Sequence, residues 1–107
     1  MLDAKKRYEV VAFGERYQVT LHAAAYASNG ALAIEARDYV PEWGCEEPFA
    51  TLSVNLPDFE PSGKDCFFLD ANNCPWAAKF LADNDIARPT GKVGQSGFCT
   101  YPEYKLS

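Results

Sequence analysis

From Tyr8 to Ala36 every second side chain is apolar while those between are mixed, and this pattern breaks only around Gly14 and at Asn29-Gly30. A period of two is the signature of a strand with one face buried, and glycine or Asn-Gly between two such runs marks an antiparallel hairpin. With Gly14-Glu15 as a two-residue type II′ loop, Tyr8, Val10 and Ala12 fall opposite Leu21, Val19 and Tyr17. Glu9, Val11 and Phe13 then meet Thr20, Gln18 and Arg16 on the other face. Asn29-Gly30 suits a type I′ turn, because both residues tolerate a positive φ. That turn pairs Ala27, Ala25 and Ala23 with Leu32, Ile34 and Ala36, continuing the apolar face across three strands. The opposite face carries Tyr26 with Ala33, Ala24 with Glu35, His22 with Arg37 and Thr20 with Tyr39, and Arg7 flanks His22.

Beyond the loop VPEWGCEEP, residues Ala50 to Leu56 again alternate, and Asp65 to Leu69 form a further strand after the breakers Pro57, Pro61 and Gly63. One helix follows. Pro75 suits the first helical position, and a proline drives the residue before it out of the α region, which makes Cys74 the expected N-cap. Trp76, Ala77, Phe80 and Leu81 give one apolar stripe, Asn84 can take a left-handed turn, and Pro89 prevents resumption. ARPTGKVGQSGF reads as a glycine-rich loop, and FCTYPEYKL as a last strand interrupted or edged by Pro102. The expected fold is α+β: a single domain over residues 1–107, with an antiparallel meander of about five or six strands packed on one short α-helix.

The length of 107 residues and the 48% hydrophobic content are enough for a core that needs no metal, disulfide or other cofactor to hold it. MLDAKKRYEVV runs from charges directly into a strand pattern, with no apolar signal segment and no stretch long enough to span a membrane. The expectation is a cytoplasmic protein without membrane contact. The cysteines, at 45, 66, 74 and 99, leave 20, 7 and 24 residues between them, which is no zinc-ligand spacing. Free thiols are expected.

Charge is concentrated in the middle. Residues 35–70 hold nine acidic and two basic groups, whereas the segments on either side each hold four basic and three acidic. Direct nucleic-acid binding is not expected from such a balance, since phosphate contacts need clustered Lys and Arg. The acidity is either a solubilising face or a surface aimed at a basic partner. Trp43, set among four acids in DYVPEWGCEEP, has two readings: a recognition anchor with an acidic rim, or a side chain folded back over the core edge.

Other chemistry finds little support. A thiol at a helix start has a lowered pKa, but a cysteine nucleophile needs a base, and the only histidine, His22, falls on the face away from the expected helix. A Cys/His metal site meets the same obstacle. GKVGQSG lacks the Walker spacing, and Phe98 stands where a G-x-S-x-G elbow around Ser96 needs glycine. His22, Arg7, Arg37, Glu35 and Tyr26 make a polar cluster suited to cross-strand pairing or to a contact patch.

NNCPWAAKFL, then IARPTG, then SGFCTYPEY resembles an uncharacterised family of small proteins carried on conjugative and integrative elements of gut bacteria. The resemblance covers roughly residues 65 to 106, and the N-terminal hairpins more loosely. It implies no activity and no catalytic residue. It implies a setting in which small acidic proteins resemble anti-CRISPR and anti-restriction factors, with carboxylates standing where phosphates would. The functional expectation is a non-enzymatic protein-binding module, an inhibitor of a host defence complex, whose partner presents a basic, nucleic-acid-binding surface. The contacts would be Glu42, Trp43, Glu46, Glu47, Asp58 and Glu60. The alternative is a small-molecule or peptide-binding accessory domain using the Gly91-Tyr101 loop, with a pocket lined by Trp76, Phe98 and Tyr101.

Overall fold

The computed structural model describes residues 2–3, 5–40, 42–56 and 58–107. Pro41 and Pro57, read above as part of a loop and as a chain breaker, lie outside the described residues. The elements in chain order are β1 (Tyr8–Ala12), β2 (Glu15–Ala25), β3 (Leu32–Val40), β4 (Cys45–Thr51), β5 (Ser53–Val54), β6 (Cys66–Leu69), α1 (Ala77–Asp83), β7 (Ala87–Ser96) and β8 (Cys99–Leu106). They form two four-stranded antiparallel sheets, ordered β1-β2-β3-β4 and β5-β6-β8-β7, and not one meander.

Leu52 is where the chain changes sheets. Its N–H donates to Ile34 O of β3, its carbonyl accepts from Asp70 N just after β6, both at 2.8 Å, and its side chain is fully buried. One extended run thus edges the first sheet as β4 and the second as β5, a corner familiar from orthogonally packed sheets. Ser53 seals the joint. Its hydroxyl accepts the Ile34 N–H at 3.0 Å and shares a 2.8 Å hydrogen bond with the Tyr26 hydroxyl.

Both hairpin registers differ from the sequence expectation by one step at each strand, and the faces survive. Tyr8 pairs with Val19 instead of Leu21, because the turn is Phe13-Gly14, with φ of 54° and 75°. Ala36 pairs with Leu21 instead of Ala23, because the second loop spans residues 27–30, closed by Tyr26 and Ala31; only Gly30 there has positive φ. Moving both partners' sum by two leaves every side chain on its face. Tyr8, Val10, Ala12, Val19, Leu21, Ile34 and Ala36 are accordingly buried together.

The helix packs on that buried face. Phe80 meets Tyr8 edge-on at 6.1 Å between ring centres, and an aromatic chain continues from Phe80 to Trp76 (5.8 Å), Phe49 (5.6 Å) and Tyr17 (4.9 Å). Trp76, not Cys74, is the N-cap, because residues 70–76 first make hydrogen-bonded turns: Cys74 N–H donates to Asp70 O and Ala77 N–H to Cys74 O. At the other end Asp85, not Asn84, is left-handed, at φ 53°. Ile86 N–H returns to Leu81 O and Asp85 N–H to Ala82 O, a Schellman closure with Ile86 and Leu81 both buried.

The glycine-rich segment is no loop. Residues 87–96 form edge strand β7, turned by Gly97-Phe98 into β8, which runs unbroken through Pro102. The register shifts between Pro89 and Val93, next to Pro102, whose missing N–H could not have continued the ladder.

Candidate functional site

Four of the six residues expected at a partner surface are brought together. β4 begins at Cys45, so Glu46 and Glu47 sit on an edge strand and not in a loop. The turn before it carries Glu42 and Trp43, with Trp43 N–H held by Val40 O at 3.2 Å. Trp43 is 69% exposed and so does not cover the core. Glu42 and Glu47 are exposed.

Glu46 is used internally. Its carboxylate accepts a hydrogen bond from the Thr20 hydroxyl and lies 3.7 Å from His22 Nε2, which itself sits 2.9 Å from Thr20 Oγ1. The Thr20 hydrogen bond holds the carboxyl below its usual range against the effect of burial, with His22 and Arg37 adding to the lowering. His22 faces Glu35 across the strand pair, where the sequence register placed Arg37. Arg37 instead donates to Glu35 at 2.7 Å, and Arg7 stacks over Tyr39 at 3.8 Å rather than flanking His22.

Asp58 and Glu60 belong elsewhere. Both are exposed on the segment between β5 and β6, and Glu60 borders a cavity with Asn29, Gly30 and Leu32. Leu32 starts β3 and Trp43 follows its end, so about 26 Å of strand separates the two groups. The six residues do not form one face.

The thiol and loop alternatives look different in place. Cys74 is buried, its Sγ 3.7 Å from Thr51 O, and burial with the charge of Asp70 pushes its pKa up, away from a reactive thiolate. His22 lies on the outer face, so the two form no dyad. Among the described residues no group of three or more His, Cys, Asp or Glu could hold a metal ion. Trp76 is in the aromatic chain beside Phe49 and Phe80, Phe98 stands fully exposed at the β7–β8 tip, and Tyr101 pairs with Gly94. No described helix is long and apolar enough to cross a membrane.

One feature escaped the sequence reading. Glu103 is completely buried, and its carboxylate accepts from Ser62 N–H (2.8 Å), the Ser62 hydroxyl (2.8 Å) and the Thr90 hydroxyl (2.7 Å). Burial works to raise its pKa, but the donors from Thr90 and Ser62 and the charge of Lys92 hold it below the usual carboxylate range. Glu103 thereby ties the β5–β6 segment and the β7 irregularity to β8. Alternation along TYPEYK gave no signal for this, since it sets Glu103 on the face of the exposed Lys105 and opposite the buried Tyr104.

The model of one family, a domain of unknown function (DUF4313), matches residues 20–107. The chain belongs to the DUF4313 family. The match begins inside β2, leaves out β1, and takes in the β3–β4 edge, the helix and the whole second sheet. No curated protein and no solved structure matches the chain significantly. Family membership therefore adds no activity to what the DUF4313 fold itself presents.

Proposed function

We propose that this DUF4313 domain is a non-enzymatic protein-binding module that offers its β4 edge to a basic, nucleic-acid-binding surface of a partner, acting as an inhibitor of a host defence complex. The observation that carries the reading is Trp43, 69% exposed at the tip of the β3–β4 turn between the exposed Glu42 and Glu47. A large aromatic in water beside carboxylates is poor economy for folding and well suited to an anchor with a charged rim. β4 adds unpaired backbone groups at the edge of the first sheet. Carboxylates in such a place compete with phosphates for Lys and Arg and speed encounter with a positive groove.

The working surface is Glu42, Trp43 and Glu47, with Glu46 bracing β4 against Thr20 and His22. Asp58 and Glu60 would need a second region of the partner. The test is capture of partners from bacterial lysate by the wild-type chain, by Trp43→Ala and by Glu42→Lys/Glu47→Lys. The reading requires a salt-sensitive partner, displaced by added nucleic acid, that the charge-reversed chain fails to hold. A partner held equally by all three chains would end it.

A further inference from the structure

We infer that two copies of this chain join through their β1 edges, pairing antiparallel about a two-fold axis to make one continuous eight-stranded sheet. β1 ends the strand order of the first sheet, so one side of it has no partner strand. Ala12 and Glu15 flank the two-residue Phe13-Gly14 turn and are therefore a hydrogen-bonded pair. Bonded and non-bonded pairs alternate along a ladder, so Tyr8, Val10 and Ala12 turn their N–H and C=O groups to β2. Glu9 and Val11 turn theirs outward.

The two sheets have four outer edges, and the other three are interrupted or short. β4 carries Pro48 at a register shift, β5 is two residues long, and β7 carries Pro89 at another shift. Short edges, prolines and bulges are the usual devices against strand pairing. β1 runs five residues with none of them. It also shows water apolar surface that folding does not use: Val11 is 62% exposed, and Phe13, in its turn, 75%. The helix leaves the edge open, since a cavity of about 330 Å³ lies between Glu9 and Val11 on one side and Trp76, Lys79 and Asp83 on the other.

The occupant is a second copy because the strand complements itself. With Val10 on the axis, Glu9 of each copy meets Val11 of the other, and every outward N–H and C=O of these two residues finds a partner. The same register leaves the apolar inner faces on one side and brings the basic start Lys5-Lys6-Arg7 of each copy toward the Phe13-Gly14-Glu15 turn of the other. A parallel pairing would set the basic starts side by side. β4 lies at the opposite edge, so the Trp43 surface stays open in both copies.

Sedimentation of the intact chain over about a hundredfold range of concentration, with amide hydrogen exchange, tests the pairing. The 11.9 kDa chain should give way to twice that mass as concentration rises, and protection of the Glu9 and Val11 amides should grow in step. Val11→Glu sets like charges opposite each other twice and should weaken the dimer about tenfold, and Glu9→Lys/Val11→Glu should restore it. Both positions are exposed, and circular dichroism checks the fold of each variant. A chain monomeric throughout, a dimer indifferent to Val11→Glu or not restored by the double variant, or protection that grows at β4 or β7 and not at Glu9 and Val11 would overturn the proposal.

Discussion

Gly94 lies against Leu56 so closely that a β-carbon on the glycine would stand 2.5 Å from Leu56 Cδ1, with Phe68 and Phe59 at 3.2 and 3.3 Å. The backbone of β7 reaches the core here only because residue 94 has no side chain. Leu56 and Phe68 are buried, so neither can swing into solvent to make room. Gly94→Ala should cost about 1–3 kcal/mol, the usual penalty for overpacking. Urea denaturation measures it, and a neutral substitution would mean that β7 does not sit on Leu56.

Phe13 occupies the first place of a two-residue turn at φ 54°, a conformation in which a bulky side chain is strained, and it is 75% exposed. Phe13→Asn would leave an Asn-Gly pair suited to this turn. A gain of about 0.5–1 kcal/mol in stability is expected by thermal or urea unfolding. A loss would show that Phe13 makes packing contacts that outweigh its backbone strain.

Protonating Glu103 breaks the acceptor that Ser62 and Thr90 share. Its folded pKa is lowered, so its contribution to stability is complete above the unfolded value of about 4.3 and is lost as pH falls through the folded value. Glu103→Gln should remove that acid-side dependence and cost about 2–3 kcal/mol at neutral pH, since an amide NH₂ would face a hydroxyl or N–H donor. Unfolding curves from pH 7 down to pH 3 for both chains make the comparison. Parallel pH profiles would contradict the role given to this carboxylate.

The four thiols should separate by burial. Cys45 is exposed and should react first with a thiol reagent at neutral pH, Cys99 more slowly, and Cys66 and Cys74 only on unfolding. Burial raises the pKa of both buried thiols, which slows them further. Fast labelling of Cys74 in the folded chain would remove it from the core.

What was legible in the sequence follows from which physical signals are local. Period-two alternation assigned the inner faces of β1, β2 and β3 correctly, because a side chain's face depends only on parity. The registers were misread since a glycine or Asn-Gly can serve turns of several lengths, and Phe13 at positive φ is not something composition suggests. Pro75 correctly signalled a nearby helix start, but the hydrogen-bonded turns from Asp70 onward delayed it to Ala77. β7 was hidden because its five-residue run Thr90–Gly94 contains two glycines, and its strand state is imposed by pairing with β8 and contact with Leu56. The division of the acidic residues was invisible for the same reason: Trp43 and Glu60 lie 17 positions apart in sequence, and only the change of sheets at Leu52 decides that they flank opposite ends of β3.

The acidic edge is tested most directly by the affinity of the wild-type chain and of Glu42→Lys/Glu47→Lys for the captured partner, each measured at low and at physiological ionic strength. Both side chains are exposed, so the double variant should fold normally. The expected result is a wild-type affinity that falls with salt and a charge-reversed chain bound at least about tenfold more weakly at low salt. An affinity indifferent both to salt and to the reversal would contradict the proposal that these carboxylates recognise a basic surface.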